Sequence, residues 1–182
     1  MIEGMSLKVS DIDAKTFNDL FFPCKACVYW EHPGKCGKIS STEGSYLKLQ
    51  WFEKMWKIFG SCGKILYLND EAVAYCQFAP PRHIENIREY EKYIHAVSED
   101  SVIITCLYVK EGYRGSGLGR RILKDVIKEI RRKGYKLIET FARDDSNNNP
   151  SGPSRFYLAN GFEKVVSKTW ENARFSLLRL KL

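Results

Sequence analysis

The sequence has 182 residues, of which 44% are hydrophobic and 28% charged, values close to those of folded globular domains. This composition argues against a collagen-like repeat, a coiled coil and a disordered chain. No apolar run approaches the roughly 20 residues of a membrane-spanning helix, and residues 1–5 do not resemble the start of a secretory signal. We therefore expect one domain over residues 1–182, located in the cytoplasm and not bound to a membrane.

The formal net charge of +7 is concentrated in one part of the chain. Residues 110–136 contain ten basic and three acidic side chains, which accounts for the whole surplus. Such a cluster favours an anionic partner, for example a phosphate group or a nucleic acid.

The first half of the sequence predicts a short strand, three helices and a hairpin. A strand at residues 7–9 is followed by a helix that begins at Ser10 or Asp11 and contains Ile12 and Phe17 on its apolar side. An irregular loop holds half of the cysteines, and after it apolar residues at helical spacing predict an amphipathic helix. The cysteine-rich loop covers residues 23–44, the helix 45–60, the two hairpin strands 64–68 and 72–78, and a further short helix 84–94.

The second half alternates strands and helices around a glycine-rich turn. An almost continuous apolar strand, typical of burial on both faces, leads into this turn and then into a helix that Gly134 ends. A strand, a long polar loop, a short helix and two final strands follow. The predicted bounds are 101–109 for the strand, 112–119 for the turn, 135–142 for the next strand, Ser151 or Ser154 to Leu158 for the short helix, and 162–166 and 173–182 for the last strands.

The turn Gly115-Ser116-Gly117-Leu118-Gly119 has the features of a phosphate cradle. Backbone amides converge at the start of a helix, where the helix dipole also favours an anion. The turn lacks the Lys-Ser/Thr ending of a nucleotide P-loop and does not match the dinucleotide fingerprint. A simpler alternative is a helix entry that needs glycines only in order to turn.

Two motifs resemble those of the GNAT (Gcn5-related) N-acetyltransferase family. Residues 109–119 contain Arg114-Gly115-Ser116-Gly117-Leu118-Gly119, similar to the family signature Arg/Gln-x-x-Gly-x-Gly/Ala, and Phe156 to Phe162 resembles the later Phe-Tyr-x-x-x-Gly-Phe motif. The resemblance implies an α/β, single-domain GNAT fold: a mixed, mostly antiparallel sheet of six to seven strands flanked by about four helices. It also implies transfer of an acetyl group from acetyl-CoA to a primary amine, by direct attack in a ternary complex.

The resemblance assigns roles to particular residues. The strand backbone at Leu107, Tyr108 and Val109 is expected to pair with the pantetheine arm, with the Val109 amide polarising the thioester. The loop that binds the pyrophosphate corresponds to Arg114, Gly115, Ser116, Gly117, Leu118, Gly119 and Arg120. Many family members have an Asn seven residues before the motif tyrosine, but here that position is Pro150, so Asn149 is the nearest substitute.

Tyr157 matches the tyrosine that protonates the departing CoA thiolate. A tyrosine with only a structural role is the alternative, because an unperturbed phenol with a pKa of about 10 suits this task only when its surroundings tune it. The general base is not specified by any local spacing: Glu31, Glu71, Glu139 and an ordered water chain all remain open.

The cysteine-rich loop offers four soft metal ligands, Cys24, Cys27, His32 and Cys36. Their spacing is one residue short of a CCHC zinc knuckle, so a structural zinc site is one interpretation. A second is that reduced cysteines pack as small apolar residues beside the acceptor site, and a third is a redox-active Cys-x-x-Cys pair.

Two other functions compete with acetyl transfer. The basic helix and the near-knuckle loop suit a nucleic-acid-binding module, although Trp51, Trp56 and Phe59 follow the spacing of a helix core and not that of exposed stacking residues. A protein that retains the fold without catalysis would be an acyl-CoA sensor. The amine acceptor and the oligomeric state, for which a homodimer is one option, are not indicated by any motif.

Overall fold

A computed structural model describes residues 6–147 and 149–182. Residues 1–5, on which the expectation about a secretory signal rests, lie outside the described part. Seven strands and four helices form in the described part of the chain. The strands are β1 (Leu7–Asp11), β2 (Gly63–Leu68), β3 (Glu71–Ala79), β4 (Val102–Val109), β5 (Leu137–Arg143), β6 (Glu163–Trp170) and β7 (Ala173–Lys181); the helices are α1 (Ser41–Ile58), α2 (Ile87–Tyr93), α3 (Leu118–Arg132) and α4 (Ser154–Leu158).

The strands form one sheet in the order β1-β2-β3-β4-β5-β7-β6. Only the β4–β5 pair is parallel, and the other neighbouring pairs are antiparallel. This arrangement confirms the predicted mixed, mostly antiparallel α/β sheet with helices around it.

Two-residue turns connect both hairpins. Asn69 and Asp70 join β2 to β3 with φ of 49° and 66°, and Glu171 and Asn172 join β6 to β7 with φ of 50° and 60°. Two consecutive positive φ angles are typical of a type I′ turn, whose twist matches that of the strands. The second connection is shorter than the sequence predicted, because β6 continues to Trp170.

The sheet separates two hydrophobic cores. On β3, Tyr75 points into the core formed with α1 and α2, whereas Ala74 and Cys76 belong to the core formed with α3 and α4. Successive side chains of a strand point to opposite faces, so α1 and α2 cover one face of the sheet and α3 and α4 the other.

The helix predicted after Ser10 or Asp11 is wrong. Strand β1 extends to Asp11, and then the Asp13 carboxylate accepts hydrogen bonds from the amides of Lys15 and Thr16 at 2.8 and 2.9 Å. A side chain that bonds to nearby backbone amides favours a turn over a helix. The segment contains a single 3₁₀ turn, Thr16–Asp19, which still buries Phe17.

Helix α1 begins four residues before its predicted start. Ser40 caps it, since its Oγ accepts the Glu43 amide at 3.1 Å. Trp51 and Phe59 pack into the cores as predicted, but Trp56 is 44% exposed and lies on the opposite side. No helix in the described ranges is long and apolar enough to cross a membrane.

Candidate active site

Strands β4 and β5 separate after two paired positions. Val102 pairs with Ile138 and Ile103 with Glu139, yet β4 continues to Val109 and β5 to Arg143. Just beyond these pairs, Thr140 Oγ1 of β5 still donates a hydrogen bond to the Ile104 carbonyl of β4, at 2.9 Å. The sheet therefore opens into a wedge whose sides are the facing edges of β4 and β5.

A short piece of chain, residues 150–153, occupies part of this wedge. The Leu107 amide of β4 donates to the Pro150 carbonyl at 2.9 Å, and Ser151 Oγ donates to the Phe141 carbonyl of β5. Pro153 forms an isolated parallel bridge with Arg143. The 150–153 segment thus bonds to both strands, in a place where an additional strand would otherwise lie.

The amino terminus of α3 faces the open end of the wedge. Gly117 immediately precedes the helix with φ of 86°, a conformation that glycine adopts without steric cost. The first amides of a helix have no partner within it, so those of Leu118, Gly119 and Arg120 are available to an anion. On the inner side, the Phe156 ring of α4 approaches Gly119 so closely that a Cβ there would lie 3.3 Å from it.

A cavity of about 690 Å³ lies between the wedge, the start of α3 and helix α4. Among its described lining residues, three are arginines and none is acidic, so the cavity carries positive charge. Its walls are formed by Leu107, Tyr108, Val109, Tyr113, Arg114, Gly115, Gly117, Leu118, Gly119, Arg120, Asn147, Asn149, Gly152, Pro153, Arg155, Phe156, Ala159 and Asn160.

The structure brings together almost all of the residues that were predicted from the sequence to bind the cofactor. Every one of them lines this cavity except Ser116, whose hydroxyl donates to the Tyr113 carbonyl at 2.5 Å and so stabilises the turn. Sequence reasoning missed the contribution of α4. Arg155 of α4 immediately precedes the second motif, and Asn160, just after α4, lies within it; the closeness of both to Tyr157 in the sequence was the signal that was overlooked.

Arg114 fixes the end of β4. Its Nε donates to the Val109 carbonyl at 2.9 Å, and its guanidinium carbon lies 5.2 Å from the centre of the Tyr108 ring. The Lys110 amide bonds to Val73 of β3 at 2.9 Å. Because amides alternate between the two edges of a strand, the Val109 amide faces the wedge, as the Leu107 amide does.

Tyr157 lies behind the cavity wall and does not line it. The side chain is fully buried, and its hydroxyl donates to the Ser151 carbonyl at 2.5 Å. Burial raises the pKa of this phenol well above its ordinary value. Gly152 lines the cavity and lies directly in front of Tyr157, since a Cβ added to Gly152 would be 4.0 Å from the Tyr157 hydroxyl.

The three carboxylates considered as general base all have partners. Glu139 accepts from Arg179 at 2.7 Å and from the Ser98 amide at 2.8 Å, and Glu31 accepts from Lys48 at 2.7 Å. Glu71 accepts from Tyr113 at 2.6 Å and Lys110 at 3.0 Å, and these hydrogen bonds lower the pKa of Glu71. Only Glu71 touches a residue of the cavity wall, Tyr113.

The zinc site that was one interpretation of Cys24, Cys27, His32 and Cys36 is not formed. No group of three or more His, Cys, Asp or Glu side chains within the described residues is arranged to hold a metal ion, and all three cysteines are free thiols. Burial raises the pKa of Cys24 to about 12 and also raises that of Cys36, which favours the unreactive thiol form. Cys24 packs against the core of α1 and α2, in agreement with the interpretation of these cysteines as small apolar residues.

Comparison with known families identifies the class of protein. The model of the acetyltransferase (GNAT) family matches residues 26–162. The chain belongs to this GNAT acetyltransferase family, as the two sequence motifs had indicated. No curated protein matches the sequence.

Solved structures show the same fold at low sequence identity. A putative acetyltransferase from Salmonella typhimurium, yncA, solved with acetyl-CoA, has 16% identity and a TM-score of 0.64, over 97% of this chain and 94% of that one. The PaiA N-acetyltransferase from Thermoplasma acidophilum, in complex with coenzyme A, has 12% identity and a TM-score of 0.60, over 97% and 99%. A ribosomal-protein-alanine N-acetyltransferase from Brucella melitensis has 17% identity and a TM-score of 0.59, over 96% and 99%.

Proposed function

We propose that this protein transfers the acetyl group of acetyl-CoA to a primary amine by direct attack in a ternary complex. The observation that carries the proposal is a single cavity that joins the amino terminus of α3 to the wedge-facing edge of β4. One end suits a pyrophosphate and the other an extended amide-containing chain, which are adjoining parts of coenzyme A.

The phosphate end combines two sources of positive charge. The unpaired amides at the start of α3 and the helix dipole favour an anion there, and the arginines at 114 and 120 line the same part of the cavity. Arg155 of α4 lines the same cavity and adds a third cation. Asn149 stabilises the part of the cavity wall formed by Gly152, because its Nδ2 donates to the Gly152 carbonyl at 2.6 Å.

The acyl end presents backbone donors along β4. In the proposed reaction the Val109 amide donates to the thioester oxygen, and the negative charge that develops there as the amine attacks is stabilised by this donor. The carbon–sulfur bond then breaks, the thiolate takes a proton from Tyr157, and the new amide loses its extra proton to water or a carboxylate. A proton from solvent then restores the Tyr157 phenol. Tyr157 must exchange its bond to Ser151 for one to sulfur during this step.

Binding and turnover test the proposal separately. Calorimetry should detect binding of acetyl-CoA and of free CoA, and a panel of primary amines with detection of released thiol should identify an acceptor. Tyr157→Phe should lower turnover about 100-fold, because the proton donor is removed, while acetyl-CoA binding stays within about twofold, because Tyr157 does not line the cavity. Tyr135→Phe, next to Phe59 beyond the far end of α3, is the matched control.

Two results would contradict the proposal. Absence of acetyl-CoA binding would exclude the cofactor, and unchanged turnover in Tyr157→Phe would exclude that residue as the acid. Binding of acetyl-CoA without transfer to any amine would favour the acyl-CoA sensor.

A further inference from the structure

Helix α3 presents a row of exposed cations outside the cofactor cavity. At about 100° per residue and 1.5 Å of rise, these cations lie within about 100° of the helix circumference and along about 16 Å of its length. The two acidic residues of the helix, Asp125 and Glu129, lie outside this arc. We call this surface the basic stripe; its members are Arg121, Lys124, Lys128, Arg131 and Arg132.

The central cations of the basic stripe are free to bind a ligand. The two end members form ion pairs within α3, at 3.3 and 2.8 Å. Among the described residues, by contrast, no carboxylate lies within ion-pairing distance of Lys124, Lys128 or Arg131. Such an excess of uncompensated positive charge along one line is complementary to a polyanion.

The other side of α3 narrows the choice of polyanion. Ile122, Val126 and Ile130 are fully buried in the core, so the helix has no free apolar side of the kind that inserts into a membrane surface. Helix α3, which is described throughout, also contains no aromatic residue on which the bases of a single strand could stack. The chemistry that remains is contact between cations and the phosphates of a double strand.

We propose that the basic stripe binds the sugar–phosphate backbone of a nucleic-acid duplex, as a second function beside acetyl transfer. A duplex carries one negative charge per about 1.7 Å of its axis, so a length of about 16 Å presents about nine phosphates. The guanidinium of Arg131 binds a phosphate through two hydrogen bonds, and the lysines bind others as point charges. Contacts with phosphates carry no sequence information, so the binding is independent of sequence.

The basic stripe is separate from the cofactor cavity. Its five members are described, and none of them lines that cavity. The stripe also lies on the face of the sheet opposite α1 and α2, because α3 packs in the other core. The inference therefore does not rest on the proposed function, and the protein binds a duplex and CoA at the same time.

Fluorescence anisotropy with labelled DNA and RNA duplexes of about 20 base pairs, at about 50 to 200 mM salt, tests the inference. For DNA, the logarithm of the association constant should fall with the logarithm of the salt concentration with a slope of about −3 to −4.5, or about −0.9 per phosphate neutralised. The combined variant Lys124→Gln, Lys128→Gln and Arg131→Gln should lose about 2.7 of this slope and bind at least about tenfold more weakly. The duplex that binds more tightly at physiological salt distinguishes RNA from DNA as the partner.

A second combined variant is the matched control. Lys15→Gln, Lys54→Gln and Lys57→Gln remove the same charge from exposed lysines on or beside α1, across the sheet, and should change the slope by less than about 0.5. Circular dichroism and thermal unfolding should show that both combined variants keep the fold, since all six side chains are exposed. Saturating CoA should not displace the duplex, because the stripe does not line the cavity.

Failure of both duplexes to bind at about 50 mM salt would overturn the inference, and so would equal slopes for the unaltered protein and the stripe variant. Displacement of the duplex by CoA would also overturn it, since the binding would then belong to the cofactor cavity. Binding of phosphatidylglycerol vesicles or of a polyglutamate peptide, with neither duplex bound, would assign the stripe to a membrane or an acidic protein instead. All of these results leave the proposed function standing, because CoA binding is measured separately.

Discussion

The Lys48 ammonium nitrogen lies 2.7 Å from Glu31 Oε1, in the interior between α1 and the sheet. Lys48 is 1% exposed and Glu31 3%. Desolvation acts to lower the pKa of Lys48, but the charge of Glu31, the hydrogen bond to it and the neighbouring cysteines together outweigh desolvation and raise that pKa, so the lysine stays charged. Gln77 of β3 also donates to Glu31, and the network thereby ties the cysteine-rich loop to both α1 and β3.

Breaking this ion pair on one side should be strongly destabilising. Lys48→Met leaves the Glu31 carboxylate buried without its cation and should lower the free energy of unfolding by about 3 to 5 kcal/mol. The double variant Lys48→Met with Glu31→Gln removes both charges and should be more stable than Lys48→Met alone, because a neutral pair carries no uncompensated charge. Urea unfolding at neutral pH measures these two variants and Glu31→Gln alone, and a loss in the double variant equal to the sum of the two single losses would show that the charges are not coupled.

This pair also shows what the sequence does not reveal. The glycine-rich turn was predictable because strand, turn and helix are contiguous in the chain, and their hydrophobic periods mark them. Glu31 and Lys48 come from different elements and contact each other only when the cysteine-rich loop folds back on α1. The entry of residues 150–153 into the wedge is equally non-local, since nothing in the polar loop after β5 specifies its partners Leu107 and Phe141.

Gly44 allows the cysteine-rich loop to pack closely against α1. A Cβ at this position would lie 2.4 Å from the Ala26 carbonyl oxygen, a backbone atom that cannot turn aside. Gly44→Ala should therefore separate the loop from the helix and lower the free energy of unfolding by about 1 to 3 kcal/mol. Gly34→Ala is the control in the same loop, where a Cβ would meet nothing within 4 Å. Thermal or urea unfolding compares the two, and equal stability would contradict the close contact.

Asp144 should make the fold sensitive to acid. It follows β5 and accepts hydrogen bonds from Ser167 at 2.7 Å and Ser176 at 2.8 Å. Burial acts to raise its pKa, but serine hydroxyls and the charge of Lys164 outweigh this and lower the pKa to about 2. Because this value lies below the ordinary 3.8, the carboxylate stabilises the fold above about pH 4 and ceases to do so as the pH falls towards 2.

Asp144→Asn tests the direction of this pH dependence of stability. The variant should be less stable than the unaltered protein at pH 7, by at most about 2 kcal/mol, and the difference should shrink between pH 4 and pH 2. Asp100→Asn, in an exposed turn, is the control and should leave stability within about 0.5 kcal/mol. Urea unfolding at several pH values follows the change, and a difference that grows on acidification would reverse the argument.

Gly117 links backbone conformation to cofactor binding at the start of α3. Its φ of 86° strains any residue with a Cβ, although the space around it is open. Gly117→Ala should thus lower the free energy of unfolding by about 1 to 2 kcal/mol, or move the first amides of α3 away from the position where they converge on an anion. Gly112→Ala is a clean comparison, because that position is equally open and has no positive φ. Calorimetry with adenosine 3′-monophosphate, which lacks the pyrophosphate, and with CoA should show that Gly117→Ala, unlike Gly112→Ala, weakens the binding of CoA but not of the monophosphate, since the pyrophosphate of CoA is the part that needs these amides. Weakening of both ligands to the same extent would place the effect of Gly117 away from the pyrophosphate.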